Sequence, residues 1–244
     1  MAIRLHRMTF ATSQRKRSCR GFSLIELLSV MAIIGMLMAA AVPAMNSIKG
    51  GGDLMKAAYD IGGVLEQARA YAMANNTYVF VGLTEVNASN SESAGGQQPG
   101  TGRVVLAAAG SKDGTRSFGT GNANLVALTK IRRFDNLHLE GSMPNSGNMA
   151  RPAVADGFRA GSAAFAAENS FSWPLTGASA SYTFTKIIQF DPRGTASIQS
   201  SGRSLTQWME IGLTPAKGDV AVSSANCAAL LLDGVTGSVK IYRP

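Results

Sequence analysis

Glu26 is the only ionisable side chain between Phe22 and Met45, and it follows a basic segment that ends at Gly21. As a helix, that run of about two dozen residues rises about 36 Å, against about 30 Å for the hydrocarbon core of a bilayer. The pattern therefore predicts a membrane-spanning helix over 22–45 with one carboxylate inside it. An ionised acid at mid-bilayer costs about 2.5–3.5 kcal/mol on insertion scales, so a membrane acid points to function. Glu26 lies within about two turns of the start of the run, where a side chain reaches back toward the interface. Its natural counter-charge is an α-amine at Phe22, which exists only if the chain is cut after Gly21. An ordinary signal anchor is the bland alternative, but a signal peptide needs a small-residue cleavage site after a shorter apolar core.

The residues Gly21-Phe22-Ser23-Leu24-Ile25-Glu26 closely resemble the start of a type IV prepilin, the precursor class shared by pili and by the pseudopilins of type II secretion. The resemblance implies cutting after Gly21 by a membrane aspartyl prepilin peptidase, N-methylation of Phe22, and a role for Glu26 in guiding filament assembly. Glycine suits the cut, since a residue without Cβ leaves the backbone open to a protease.

The charge fits that division. Of the 23 lysines and arginines, Arg4, Arg7, Arg15, Lys16, Arg17 and Arg20 precede the cut and no acid does, so 17 remain against 15 acids and the net charge falls from +8 to +2. A basic flank beside a membrane helix stays cytoplasmic, which sends the bulk of the chain to the other side. Cys19 leaves with the leader and Cys227 remains alone, so the mature monomer forms no internal disulfide. Many pilins have such a staple, and its absence favours a pseudopilin or minor pilin. Cys227, beside Ala228 and Leu230, reads as a buried filler.

Beyond the apolar run, Leu54, Ala58, Ile61, Leu65, Ala68 and Ala72 alternate at spacings of four and three, one face of a helix. Between the two helical halves lie Pro43 and Gly50-Gly51-Gly52. Each glycine costs about 1 kcal/mol relative to alanine in a helix interior, and proline removes a backbone donor, so a weak joint is expected there. A continuous helix held by packing is the alternative, and Asp53 could equally cap a restarted helix. Pilins that resemble this chain often carry a proline at the place of Pro43, where a melted segment lets the helix stretch.

Asn75-Asn76 closes the helix, and Thr77–Leu83 follows as a strand. Further strands are expected at Arg103–Ala107, Leu125–Phe134, Ser181–Phe190, Gln207–Leu213 and Val239–Tyr242, joined by glycine-rich turns. The segments 84–102 and 141–180, rich in Ser, Gly, Ala and Asn, read as surface insertions, with Trp173 and Pro174 pinning part of the second. Three stretches resemble the GspH/FimT group of minor pseudopilins and pilins: 65–76 as its helix-to-strand passage, 188–194 as its strand and turn, and 230–241 as its closing hairpin. The expected fold is α+β and pilin-like: a leader at 1–21, a long helix at 22–76, and an antiparallel β-sandwich at 77–244 on which that helix packs.

Little else supports chemistry. After the cut His138 is the sole histidine, which excludes multi-histidine metal sites and leaves one imidazole for any catalytic arrangement; beside Glu140 it reads as an ordinary pair. The glycine triplet lacks the lysine and hydroxyl residue of a phosphate cradle. No enzyme activity, metal or cofactor is expected. Arg132, Arg133, Arg151, Arg159, Arg193, Arg203 and Arg243 would make a nucleic-acid surface if they clustered, as in FimT-like DNA-uptake pilins, but a net charge of +2 gives little long-range attraction. The expected partners are thus prepilin peptidase, other pilin or pseudopilin subunits and an assembly platform in the bacterial inner membrane, with nucleic acid as the alternative.

Overall fold

The computed structural model describes residues 22–90, 98–175, 182–199, 206–222 and 226–244, with their side chains except at 40–51. One helix, α1, spans Leu24–Ala74. It stops where Asn76 takes φ 49°, a left-handed conformation that asparagine tolerates better than most residues, and the Thr77 N–H closes back on Ala72 O at 3.1 Å. The chain divides into two compact units, Met1–Asn46 and Ser47–Pro244.

Thirteen strands follow among the described residues: β1 (Val79–Asn87), β2 (Gly102–Ser111), β3 (Leu125–Ala127), β4 (Arg132–Asp135), β5 (Leu137–Glu140), β6 (Phe171–Trp173), β7 (Tyr182–Phe184), β8 (Lys186–Phe190), β9 (Ala196–Ile198), β10 (Trp208–Lys217), β11 (Val220–Ala221), β12 (Ala228–Asp233) and β13 (Val239–Tyr242). The first sheet runs β3-β2-β1-β8-β9 with β4 also on β2; the second runs β11-β10-β12-β13 with β5 also on β10; β6 and β7 form a separate pair. The fold is α+β, and every ladder between these strands is antiparallel.

The second unit is organised by the apolar face of α1. Leu54, Ala57, Ala58, Ile61, Val64, Leu65, Ala68 and Ala72 are all buried and share one core with Val79, Val81 and Leu83 of β1, Ile188 and Phe190 of β8, Met209, Ile211 and Leu213 of β10, and Leu230 and Leu232 of β12. Strand alternation explains the participants: residues two apart point to the same side. Each large side chain removed from water here is worth about 1.5–3 kcal/mol.

The outer faces are covered as well, and here the expected boundaries shift. The segment 84–102 begins as strand, because β1 pairs with β2 through Asn87↔Gly102. The described part of 141–180 is packed on both sheets rather than lying loosely at the surface. Phe171 and Leu175 join Phe80, Phe118, Tyr182 and Phe184 over the first sheet, while Met143 and Met149 cover Cys227 and Ala229 on the second. Trp173 packs partly against the aromatic group from β6. The apolar stretch 181–190 divides at Thr185, because β7 pairs with β6 in the cover whereas β8 pairs with β1 in the sheet. Leu125–Phe134 divides likewise: Thr129 Oγ1 accepts the Ala108 N–H at 3.2 Å, so a side chain replaces the ladder between β3 and β4.

Two turns meet the end of α1. Asp191 Oδ1 accepts the N–H groups of Arg193 and Thr195, each at 2.9 Å, and Asp233 Oδ1 accepts that of Val235 at 2.9 Å. The Ala196 N–H donates to Gly234 O at 2.8 Å, joining one turn to the other. Gly194 (φ 82°) and Gly237 (φ 67°) both need the left-handed region, but a Cβ on Gly194 would press on the flexible Met73 Sδ, at 2.7 Å, whereas one on Gly237 would overlap the backbone oxygen of Gly194. Alanine costs about 1–2 kcal/mol in that conformation. Gly237→Ala should therefore lower the unfolding free energy clearly more than Gly194→Ala, by denaturant titration, since only the first forces backbone to move.

Candidate functional site

The N-terminal site is built by the first turn of α1. Ser23 precedes the helix, and its Oγ accepts the Glu26 N–H at 3.2 Å, while Ser23 O accepts the N–H groups of Glu26 and Leu27 at 3.1 and 3.2 Å. Ser23-Leu24-Ile25-Glu26 is thus the hydroxyl-x-x-acid pattern of a helix N-cap. Glu26, exposed, stands in the first turn, where the positive end of the helix dipole favours a carboxylate. No ion pair holds it among the described residues. The Ser29 Oγ donates to Glu26 O at 2.8 Å, leaving the Glu26 carboxylate uninvolved. Phe22 is 80% exposed, and Gly21 lies outside the described residues. Ser23 is the residue that reading for charge alone misses, although the capping pattern before an apolar run announces it.

Around this acid the helix is apolar on every side. Leu24, Ile25, Leu27, Leu28, Val30, Met31, Ile33, Ile34, Met36, Leu37 and Met38 are all exposed, and those positions sweep the full circumference. Among the described residues no helix is long and apolar enough to cross a membrane; the described side chains of this stretch end at Ala39. The helix continues through Pro43, Gly50, Gly51 and Gly52. Of these four only Gly52 has described surroundings: it is exposed, with open space where a Cβ would stand. The boundary between the two compact units, at Asn46 and Ser47, falls inside this stretch.

Several of the other residues singled out by the sequence serve the fold, whereas Arg193 and Arg243 are exposed. Arg151 donates through Nε to Glu210 Oε2 at 2.6 Å, with both side chains 2% exposed, and through a terminal nitrogen to Met149 O at 2.9 Å. Arg159 pairs with Asp156 at 2.9 Å, Arg132 approaches Asp60 at 3.8 Å, and the Arg133 guanidinium stands 5.5 Å from the Tyr182 ring centre. Arg203 lies outside the described residues. A guanidinium buried on a carboxylate adds nothing to a nucleic-acid surface, so Arg151 leaves that set. Cys227 is buried, and burial pushes its thiol pKa up, away from thiolate reactivity. Among the described residues no three metal-ligating side chains gather.

His138 takes a different partner from the one its sequence neighbourhood suggests. Glu140 turns to the Ser142 N–H at 3.1 Å, whereas β1 brings Glu85 to His138, with Oε1 2.9 Å and Oε2 3.0 Å from Nδ1. Glu85 also accepts the N–H of Leu139 at 3.2 Å and of Gly102 at 3.0 Å. One carboxylate of the first sheet thereby ties down β5 of the second. Lys186 lies in the same neighbourhood, its ammonium donating to Ser162 O at 2.9 Å and to Ala160 O; burial lowers its pKa.

The family model of the prokaryotic N-terminal methylation motif matches residues 16–42. That match spans Gly21, Phe22 and Glu26, gives the chain a type IV pilin-like N terminus, and suggests a structural subunit rather than an enzyme. No curated protein matches the chain, and no solved structure does.

The hydrogen bond to Glu85 raises the His138 pKa, against an opposing desolvation and the repulsion of Lys186, with Glu140 adding attraction. A raised folded-state pKa stabilises the fold below the unfolded value of about 6.5 and loses that contribution as pH climbs through the folded value. Unfolding free energy should fall as pH rises from about 6.5 through that higher value, and His138→Gln should flatten the slope in this window while leaving more alkaline behaviour unchanged.

Proposed function

We propose that this chain is a minor pseudopilin or minor pilin of the GspH/FimT kind. It is made as a precursor, cut after Gly21 by a prepilin peptidase and N-methylated at Phe22. It is then drawn from the bacterial inner membrane into a type II secretion pseudopilus or a type IV pilus. The observation that carries this reading is the methylation motif over residues 16–42, which brackets the cut, the new terminus and Glu26. In this reading residues 22–45 cross the membrane once, the terminus faces the cytoplasm and 77–244 lies outside it. The six basic residues of the leader and a helix apolar on all sides support that topology. Support for the subgroup comes from the junction at the end of α1, where Arg69 and Met73 meet Gly194 and Gly237: the three stretches that resemble the group lie in one place.

Assembly follows from the charge. In a filament the apolar helices pack together without water, and Glu26 of an incoming subunit pairs with the Phe22 amine of a neighbour. At low dielectric a charge left unpaired is costly, so the pair selects axial register as well as affinity. Pro43 and the glycines 50–52 act as the joint that lets the helix lengthen.

Glu26→Ala should leave membrane insertion and removal of the leader intact while abolishing incorporation into filaments, assayed by shearing and immunoblotting. Normal incorporation would remove the assembly role. Gly21→Leu should block processing, so that the precursor keeps its gel mobility, whereas the unmodified protein isolated from membranes should sequence from Phe22.

A further inference from the structure

A cleft on the outer face of the second sheet stands apart from the assembly reading. Along β10, Met209, Ile211 and Leu213 face the core, so Glu210, Gly212 and Thr214 face outward. The charge of Glu210 is met by Arg151 at 2.6 Å. Thr214 is not served in this way: it is 7% exposed, and its Oγ1 is buried with no hydrogen-bond partner among the described residues. A buried hydroxyl left unpaired costs about 1–3 kcal/mol, which a ligand supplying the missing bond recovers.

Thr214 lines a cleft of about 280 Å³, whose other polar walls are Glu140 and Ser142 and whose apolar walls include Met143, Pro144 and Val222. The Cys227 thiol also lines it, kept neutral by burial. This volume falls at or below the smallest drug-sized ligand sites, which begin near 300 Å³, so the cleft suits one side chain rather than a cofactor.

The wall chemistry selects the ligand. Glu140 has no ion-pair partner among the described residues, and its Oε1 accepts only the Ser142 N–H at 3.1 Å. An ammonium carries three donors and no acceptor. Glu140, Ser142 and Thr214 are the oxygen-bearing side chains among the walls, and Met143, Pro144 and Val222 offer a surface along which a methylene stem can lie. A guanidinium prefers a carboxylate with both oxygens open, and one oxygen of Glu140 is already engaged. We propose that this cleft receives the ammonium end of a lysine side chain presented by another protein chain.

The test uses the full chain in detergent micelles with methionine methyl groups labelled for NMR, titrated with Nα-acetyl-lysine methylamide. The Met143 methyl signal should shift saturably, with a Kd on the order of millimolar, as befits a single side chain. Nα-acetyl-norleucine methylamide, which has a similar stem without the charge, should leave it unmoved. Glu140→Gln should weaken lysine binding about tenfold and Thr214→Val several-fold, each with the core Met209 signal unchanged as a check on folding. An equal response to the norleucine compound, an unchanged titration in Glu140→Gln, or no saturable shift at Met143 would each overturn the proposal.

Discussion

A carboxylate on an apolar rod needs a positive charge, and that requirement organises the N-terminal part of this molecule. Ser23 and the first turn of α1 satisfy the backbone around Glu26 but leave its side chain uncommitted. The helix dipole at that end favours a negative charge but does not neutralise it. What remains is an acid that stays in water or meets a cation from elsewhere. Because most neighbouring positions, Ser23 and Ser29 apart, are apolar and exposed, water is not what the surrounding surface favours. The pairing proposed above resolves the conflict by taking the cation from the terminus that processing creates on a neighbouring subunit, so that processing and assembly become chemically linked.

The same helix then changes character. Up to Met38 its described residues are apolar around the whole circumference, whereas from Leu54 onward only one face is, and that face is buried. An all-round apolar helix takes its partners from lipid or from other helices, while a one-sided helix is a component of a folded domain. Alanine at 57, 58, 68 and 72 serves the second part, because small side chains let the backbone lie close to both sheets. The turn residues Gly194 and Gly237 finish the join at the helix end, where any Cβ would meet the helix or the other turn.

What could be read from the sequence follows from the range of the interactions concerned. The buried face of α1 was legible because spacings of four and three are local, and the strands β10 and β13 because alternation is local. The N-terminal methylation motif was legible for the same reason, since it is one contiguous stretch and no distant segment is needed to define it. The partners of His138 and Arg151 were not. Glu85 reaches His138 across 53 positions and Arg151 reaches Glu210 across 59, and both contacts depend on how strands far apart in sequence register against one another. The segment 141–175 misled for a related reason. Its Ser, Gly and Ala composition is that of a loop, while its role comes from a few well-separated large residues, Met143, Met149, Phe165 and Phe171, that are distributed over three packed groups.

That cover decides what kind of contact is left to the domain. Among the described residues eighteen large hydrophobic side chains are exposed, and twelve of them lie between Phe22 and Met38. The first sheet has its outer face closed by Phe118, Phe171 and Leu175, and the second by Met143 and Met149. The described residues of the domain present no broad apolar area, which favours contacts that are small and polar and that draw on groups folding itself left unsatisfied. Thr214 and Glu140 are such groups: among the described residues the hydroxyl has no hydrogen-bond partner and the carboxylate no ion pair, and both line a cleft large enough for a single side chain. Affinity would therefore reside in the helix and discrimination in the domain, since a lone charged contact adds little binding energy but strongly penalises a partner that lacks the matching charge.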